Sequence, residues 1–153
     1  MTPQPSSDDL QWRLGGFTAE FVEIVVQSRA DAADFWDGNW LACRIDVAAG
    51  GCRARCSASL RAEEISDFHV ALAALSAGTV HDAAFTTVEE QLELRLHRHA
   101  TGRVQVTGSV QDRPGDGNSL QFTLELDQSY LPDSLAQLGR LVARFPVRGI
   151  RAS

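Results

Sequence analysis

The centre of the chain is written in period two. In residues 40–47, WLACRIDV, Leu41, Cys43, Ile45 and Val47 share one face, and Trp40, Arg44 and Asp46 share the other. AAGG interrupts the alternation, and CRARCSASL resumes it with Cys52, Ala54, Cys56, Ala58 and Leu60 on one side. Two alternating runs joined by glycines predict a β-hairpin. The expected register pairs Val47 with Cys52, Ile45 with Ala54 and Cys43 with Cys56, and sets Asp46 opposite Arg53 as a favourable cross-strand pair.

The period then lengthens. AEEISDFHVALAALSAG (62–78) puts Ile65, Phe68, Leu72 and Leu75 on one stripe, with Glu63, Glu64 and Asp67 near the positive end of a helix dipole and Gly78 as its C-cap. Residues 80–87 read as a short strand. QLELRLHR follows with Leu92, Leu94 and Leu96 inward, then RVQVTGSV with Val104, Val106, Gly108 and Val110 inward. DRPGDGN is a strong turn cluster, and LQFTLEL returns with Leu120, Phe122, Leu124 and Leu126 inward. Laid out as a meander, Leu94, Val106 and Leu124 form one layer, and the Phe122 ring covers the bare backbone of Gly108. A last helix starts near Leu131, carries Leu135, Leu138, Val142 and Phe145 inward, and ends at Pro146. Residues 17–26 form another strand, but both of its faces are apolar and its register stays open.

These elements predict an α+β fold: a single antiparallel sheet of about six or seven strands with two helices packed on it, with a closed or sandwiched β-arrangement left open. At 153 residues the chain fits one domain. The expected organisation is a flexible N-terminal arm (1–11), one domain (12–149) and a short tail (150–153). No apolar run approaches the roughly 20 residues of a membrane helix, and MTPQPSSDDLQW lacks the features of a signal peptide, so the expected location is cytoplasmic. On that basis the three cysteines read as small, inward, unpaired core residues.

The net charge of −6 argues against direct nucleic-acid binding. The charge is also uneven. Residues 1–39 hold seven acids against Arg13 and Arg29, whereas Arg140, Arg144, Arg148 and Arg151 face no acid from residue 134 onward.

Candidate chemistry is sparse. His97 and His99 share a strand face at a spacing that could ligate a metal, but they lack a third ligand of recognisable spacing and read better as a solvated pair. No phosphate loop, nucleophile elbow or metalloprotease signature occurs, so neither an enzyme nor a bound cofactor is expected. DFWDGNW (34–40) gathers two tryptophans and two aspartates in a loop before a strand, the composition of a protein-binding hot spot. The competing structural reading has Trp36 pinning the loop and Trp40 packing under the N-terminal strand. The candidate partner-binding set is Asp34, Trp36, Asp37, Trp40, Glu63, Glu64 and Asp67.

In residues 127–133, DQSYLPD, Asp127 or Ser129 can accept hydrogen bonds from the free N–H groups of the last helix, and Pro132 fits its first turn. Gln128 is expected to point inward, and Tyr130 to anchor its ring with its hydroxyl tied to backbone. The segment reads as hardware that turns a strand into a helix.

Three segments also carry a likeness: GRVQVTG (102–108), LQFTLELDQSYL (120–131) and FPVRG (145–149). Together they resemble the pattern of the WapI-type immunity proteins of bacterial polymorphic toxin systems, in which an apolar strand runs into D-Q-S/T-Y-L and a helix. The match covers roughly residues 40–149, and its most specific part is Asp127, Gln128, Ser129, Tyr130 and Leu131. The resemblance implies a non-enzymatic protein that binds and neutralises a cognate toxin. The acidic charge suits a basic toxin, and self-association into a homodimer stays open. The alternative is a small-molecule-binding domain with a pocket between sheet and helices.

Overall fold

A computed structural model describes residues 10–17 and 19–151. It contains eight strands: β1 (Gln11–Gly15), β2 (Phe21–Arg29), β3 (Trp40–Ala49), β4 (Cys52–Arg61), β5 (Asp82–Phe85), β6 (Leu92–Arg98), β7 (Arg103–Gln111) and β8 (Ser119–Asp127). Three helices accompany them: α1 (Phe35–Gly38), α2 (Ala62–Ala77) and α3 (Leu131–Arg144). The strands form two four-stranded antiparallel sheets, β1-β2-β3-β4 and β5-β6-β7-β8, not the single sheet expected. Alternation reveals which face of a strand is buried, but not which strands are neighbours, so the helix expected at 62–78 is compatible with one sheet or with two.

Each half of the chain follows the same plan, four consecutive strands and then a helix. The helices are exchanged between halves: α2 packs on β5, α3 packs on β1, and the two helices pack on each other. One buried cluster runs through both halves. The rings of Trp12 and Phe68 meet edge to face at 5.4 Å, and Phe68 and Phe85 lie 5.1 Å apart, so aromatic side chains occupy the layer between sheets and helices. Gln91 stitches the sheets together. Its amide donates to the carbonyls of Ser57 and Gln111 (3.0 and 3.3 Å) and accepts from the Ser59 N–H (3.2 Å).

The stretch read as a flexible arm reaches into β1, because Gln11 opens that strand and Trp12 is fully buried; residues 1–9 lie outside the described residues. The Trp12 indole donates to Ser134 Oγ of α3 (2.7 Å), and the Arg13 N–H donates to Gln137 Oε1 (2.7 Å). The second bond satisfies a backbone group on the outer edge of the sheet.

In β2 the inward set is Val22, Ile24 and Val26. Phe21 and Glu23 are also buried because arginines cover the other face. The Arg13 guanidinium lies 3.8 Å from the Phe21 ring centre and pairs with Glu23 at 2.7 Å. An apolar residue can therefore sit on the outer face without marking the core, which is why alternation left this register open.

The β3–β4 hairpin forms with the expected faces but a register two residues tighter. Gly50 takes φ 59° in a two-residue turn, Ala49 pairs with Cys52, Val47 with Ala54, Ile45 with Cys56 and Cys43 with Ala58. The partner of Asp46 is therefore Arg55 rather than Arg53, at 2.8 Å. Cys43 is buried, but Cys56 is half-buried and Cys52 is exposed, since the hairpin tip extends past the core. Burial pushes the Cys43 thiol up to about 12.

In the second sheet Gly108 pairs with Phe122, and Val106 with Leu124, as expected. Leu96 rather than Leu94 completes the Val106 layer, because Leu94 pairs with Gly108. Helix α2 buries Ile65, Phe68, Leu72 and Leu75 and ends on Gly78 at φ 79°, matching the sequence reading. Helix α3 buries Leu131, Ser134, Leu138 and Leu141, whereas Leu135, Val142 and Phe145 are only partly covered. Among the described residues no helix is long and apolar enough to cross a membrane.

Candidate partner-binding surface

DFWDGNW is a short helix rather than a loop. Asp34 caps α1, its side chain accepting from the Asp37 N–H at 3.1 Å. Arg61, at the junction of β4 and α2, holds α1 from beneath. Its guanidinium donates to the carbonyls of Phe35 (2.7 Å) and Trp36 (3.0 Å), and to Glu63 Oε1 (2.9 Å). The same guanidinium lies 4.7 Å from the Trp40 ring centre. Trp40 is therefore partly covered by an arginine, while Trp36 next door remains 51% exposed.

A second set of bonds ties the C-terminal segment to this helix. Asn39 is fully buried, and its amide donates to the carbonyls of Phe35 (2.8 Å) and Arg148 (3.0 Å). Its Oδ1 accepts from the Arg148 N–H (2.8 Å) and from Arg29 Nη2 (2.9 Å). Gly149, at φ 71°, passes so close to α1 that an added Cβ would sit 2.6 Å from Phe35 N. The strap 145–149 thereby becomes part of the surface and delivers Ile150, 91% exposed, and Arg151, whose guanidinium lies 5.7 Å from the Trp36 ring centre. The exposed apolar side chains at this end are Trp36, Val147 and Ile150, with Asp34 and Asp37 exposed beside them.

The candidate acids separate into two groups. Asp34, Asp37 and Asp67 are exposed. Glu63 is bound to Arg61, and Glu64 holds the fold together: it accepts the Arg61 N–H (2.8 Å) and the Val88 N–H (2.6 Å). Burial raises the Glu64 pKa, opposed by those two bonds. Asp67 lies farther along α2, at a cleft it shares with Phe68, Thr86 and Val88. Arg61, Asn39 and Ile150 escaped the sequence reading. The available signals were an arginine at the last outward position of a strand that runs straight into a helix and an asparagine closing an aromatic turn.

At the end of β8 the DQSY segment is a strand-to-helix joint. Asp127 Oδ1 accepts the Ser129 N–H at 2.8 Å, and those bonds from Ser129 lower the Asp127 pKa. Gln128 does not point inward; it is exposed, and Arg98 donates to its Oε1 at 2.6 Å. Tyr130 is 41% exposed rather than buried as an anchor, because the 3-10 turn Gln128–Tyr130 swings it outward. His97 Nδ1 lies 2.8 Å from Asp82 Oδ1, with the His99 ring 4.7 Å away. Among the described residues no group of three or more His, Cys, Asp or Glu side chains could hold a metal ion.

No curated protein matches the chain in sequence. Among solved structures, MRP1/MRP2 of Trypanosoma brucei superposes with a TM-score of 0.46 at 10% identity, covering 84% of this chain and 77% of that one. A guide-RNA-binding protein complex bound to a guide RNA gives 0.43 at 12% identity, covering 78% and 88% respectively. Both likenesses are distant. The immunity protein WapI-like family model, in contrast, matches residues 13–146, from β1 through the start of the strap that carries the exposed cluster. The chain belongs to the WapI-like family of immunity proteins.

Proposed function

We propose that the chain acts without catalysis, by binding a cognate toxin domain and blocking its activity, and that Trp36 is the centre of the contact. The observation that carries the reading is a half-exposed tryptophan on a rigidly held backbone. The Phe35 and Trp36 carbonyls are fixed by Arg61 (2.7 and 3.0 Å), so little ordering entropy remains to be lost when a partner covers the ring. Ile150 and Val147 extend the apolar area, and Asp34 and Asp37 supply an acidic rim that suits a basic partner surface. Glu63 and Glu64 serve this surface indirectly, by fixing Arg61 and the start of α2.

A small-molecule site between sheets and helices is the weaker reading, because Trp12, Phe68 and Phe85 occupy that layer. The test is growth protection in cells producing a toxin domain encoded beside this gene. Wild-type protein should restore growth, and Trp36→Ala with Asp37→Ala should fail to do so at equal protein level. Full protection by the double variant would remove the surface assignment.

A further inference from the structure

Next to the Trp36 cluster, the end of β2, the end of α3 and the strap enclose a cleft of about 430 Å³, walled by Arg29, Arg144, Arg148, Leu10, Phe145 and Pro146. Two of its guanidiniums are fixed by uncharged acceptors. Arg29 donates to the Gly38 carbonyl (2.9 Å) and to Asn39 Oδ1 (2.9 Å). Arg148 donates through Nη1 to the carbonyls of Ala30 (3.0 Å) and Ala32 (2.8 Å). These acceptors orient the arginines without cancelling their charge, and both guanidiniums keep further N–H groups free of bonds to described residues.

Arg13, Arg55, Arg61 and Arg103 each have a carboxylate within 4.0 Å. Among the described residues the remaining arginines have none within that distance, and three of them, Arg29, Arg144 and Arg148, are gathered on this one cleft. Burial and the neighbouring Arg148 charge both lower the Arg29 pKa, so the fold holds like charges against each other. In a chain of net charge −6, three uncompensated cations around one cleft are a local reversal of sign. Planar guanidiniums in a fixed orientation match a carboxylate through paired N–H bonds.

We infer that this cleft receives a carboxylate-bearing peptide segment of the protein partner, an acidic loop seated on Arg29, Arg144 and Arg148 beside the Trp36 contact. This rests on the partner-binding reading above. A peptide segment fits better than a free ion for two reasons. The cleft is several times the volume of one oxyanion and has apolar walls in Leu10, Phe145 and Pro146. It is also continuous, through the strap, with the exposed Val147 and Ile150. The partner surface is then mixed in charge: basic opposite Asp34 and Asp37, acidic opposite the arginines.

The test uses the full-length chain and a defined probe, a capped tetraglutamate peptide, followed by the Nε–Hε resonances of the arginines. Saturable shifts of Arg29, Arg144 and Arg148 are expected, with no response to capped tetraglutamine. Arg144→Gln is the diagnostic variant, because the Arg144 side chain makes no hydrogen bond to described residues and its guanidinium lies 5.6 Å from the Phe145 ring centre. It should weaken peptide binding about fivefold while the fold persists. Unmoved arginine resonances would overturn the inference. So would tighter binding of inorganic phosphate than of the peptide, which would make the cleft a phosphate site. Tighter peptide binding by an Asp8→Asn, Asp9→Asn chain would assign the cleft to the protein's own N-terminal acids and equally remove the partner. Since no toxin enters this titration, its failure and the failure of toxin neutralisation are separate results.

Discussion

Replacing Arg61 by alanine removes a side chain that joins α1, β4 and α2. Its guanidinium donates to the carbonyls of Phe35 and Trp36 at 2.7 and 3.0 Å and lies 4.7 Å from the Trp40 ring centre. A hydrogen bond from a charged donor contributes about 1.5 kcal/mol at the low end of its range. The partly covered cation–π contact adds about 1 kcal/mol. The bond to Glu63 is left out, because that carboxylate is 23% exposed and water replaces the arginine. The expected loss is about 4 kcal/mol, which for a chain of this size lowers the melting temperature by roughly 8–16 °C. Arg61→Lys keeps the charge but not the fork, so it should recover about half of that loss. Urea denaturation of the two variants and the wild type provides the measurement. A loss below about 1 kcal/mol for Arg61→Ala would refute the role of Arg61 as the anchor of α1.

Three further outcomes follow from the geometry. Gly108→Ala should cost about 1–3 kcal/mol in denaturant titrations, because the new Cβ would lie 2.6 Å from Phe122 Cζ and 2.9 Å from the Glu93 carbonyl oxygen. In native thiol labelling Cys52 should react first, whereas Cys43, buried and with its pKa raised to about 12, should react only on unfolding. Asp127 has a folded pKa below its ordinary 3.8, owing to its bonds from Ser129. Its contribution to stability is therefore present above that value and is lost as pH falls through the lower folded pKa. Asp127→Ala should flatten this acid limb of the stability curve, and an unchanged limb would deny Asp127 its capping role.

The sequence was most legible where one face of an element was plainly buried. The inward sets of α2, β6, β7 and β8, and the pairing of Gly108 with Phe122, follow from spacing alone. It was less legible where backbone geometry sets the answer. The choice between two turns in AAGG moved the β3–β4 register by two residues, and that move placed Cys52 in solvent and gave Asp46 to Arg55. Period-two alternation also cannot say that eight strands divide into two sheets, since every strand in either arrangement shows the same buried face. The candidate surface was half visible. Trp36, Asp34 and Asp37 stood out by composition, but Arg61, Asn39 and the strap 145–149 meet them only through contacts more than 20 or 100 residues apart in the chain. Glu63 and Glu64 were chosen for their charge. Only the fold shows that Arg61 and Val88 already occupy them.

The claim that the Trp36 end is where this immunity-family protein holds its partner is tested most directly by calorimetric titration with the toxin domain encoded beside its gene. The account predicts a one-to-one complex for the wild-type chain. It predicts that Trp36→Ala, with an unchanged melting temperature, weakens the complex by about 2 kcal/mol or more, roughly 30-fold. Equal affinity of the Trp36→Ala and wild-type proteins, or no binding by the wild type, would contradict it.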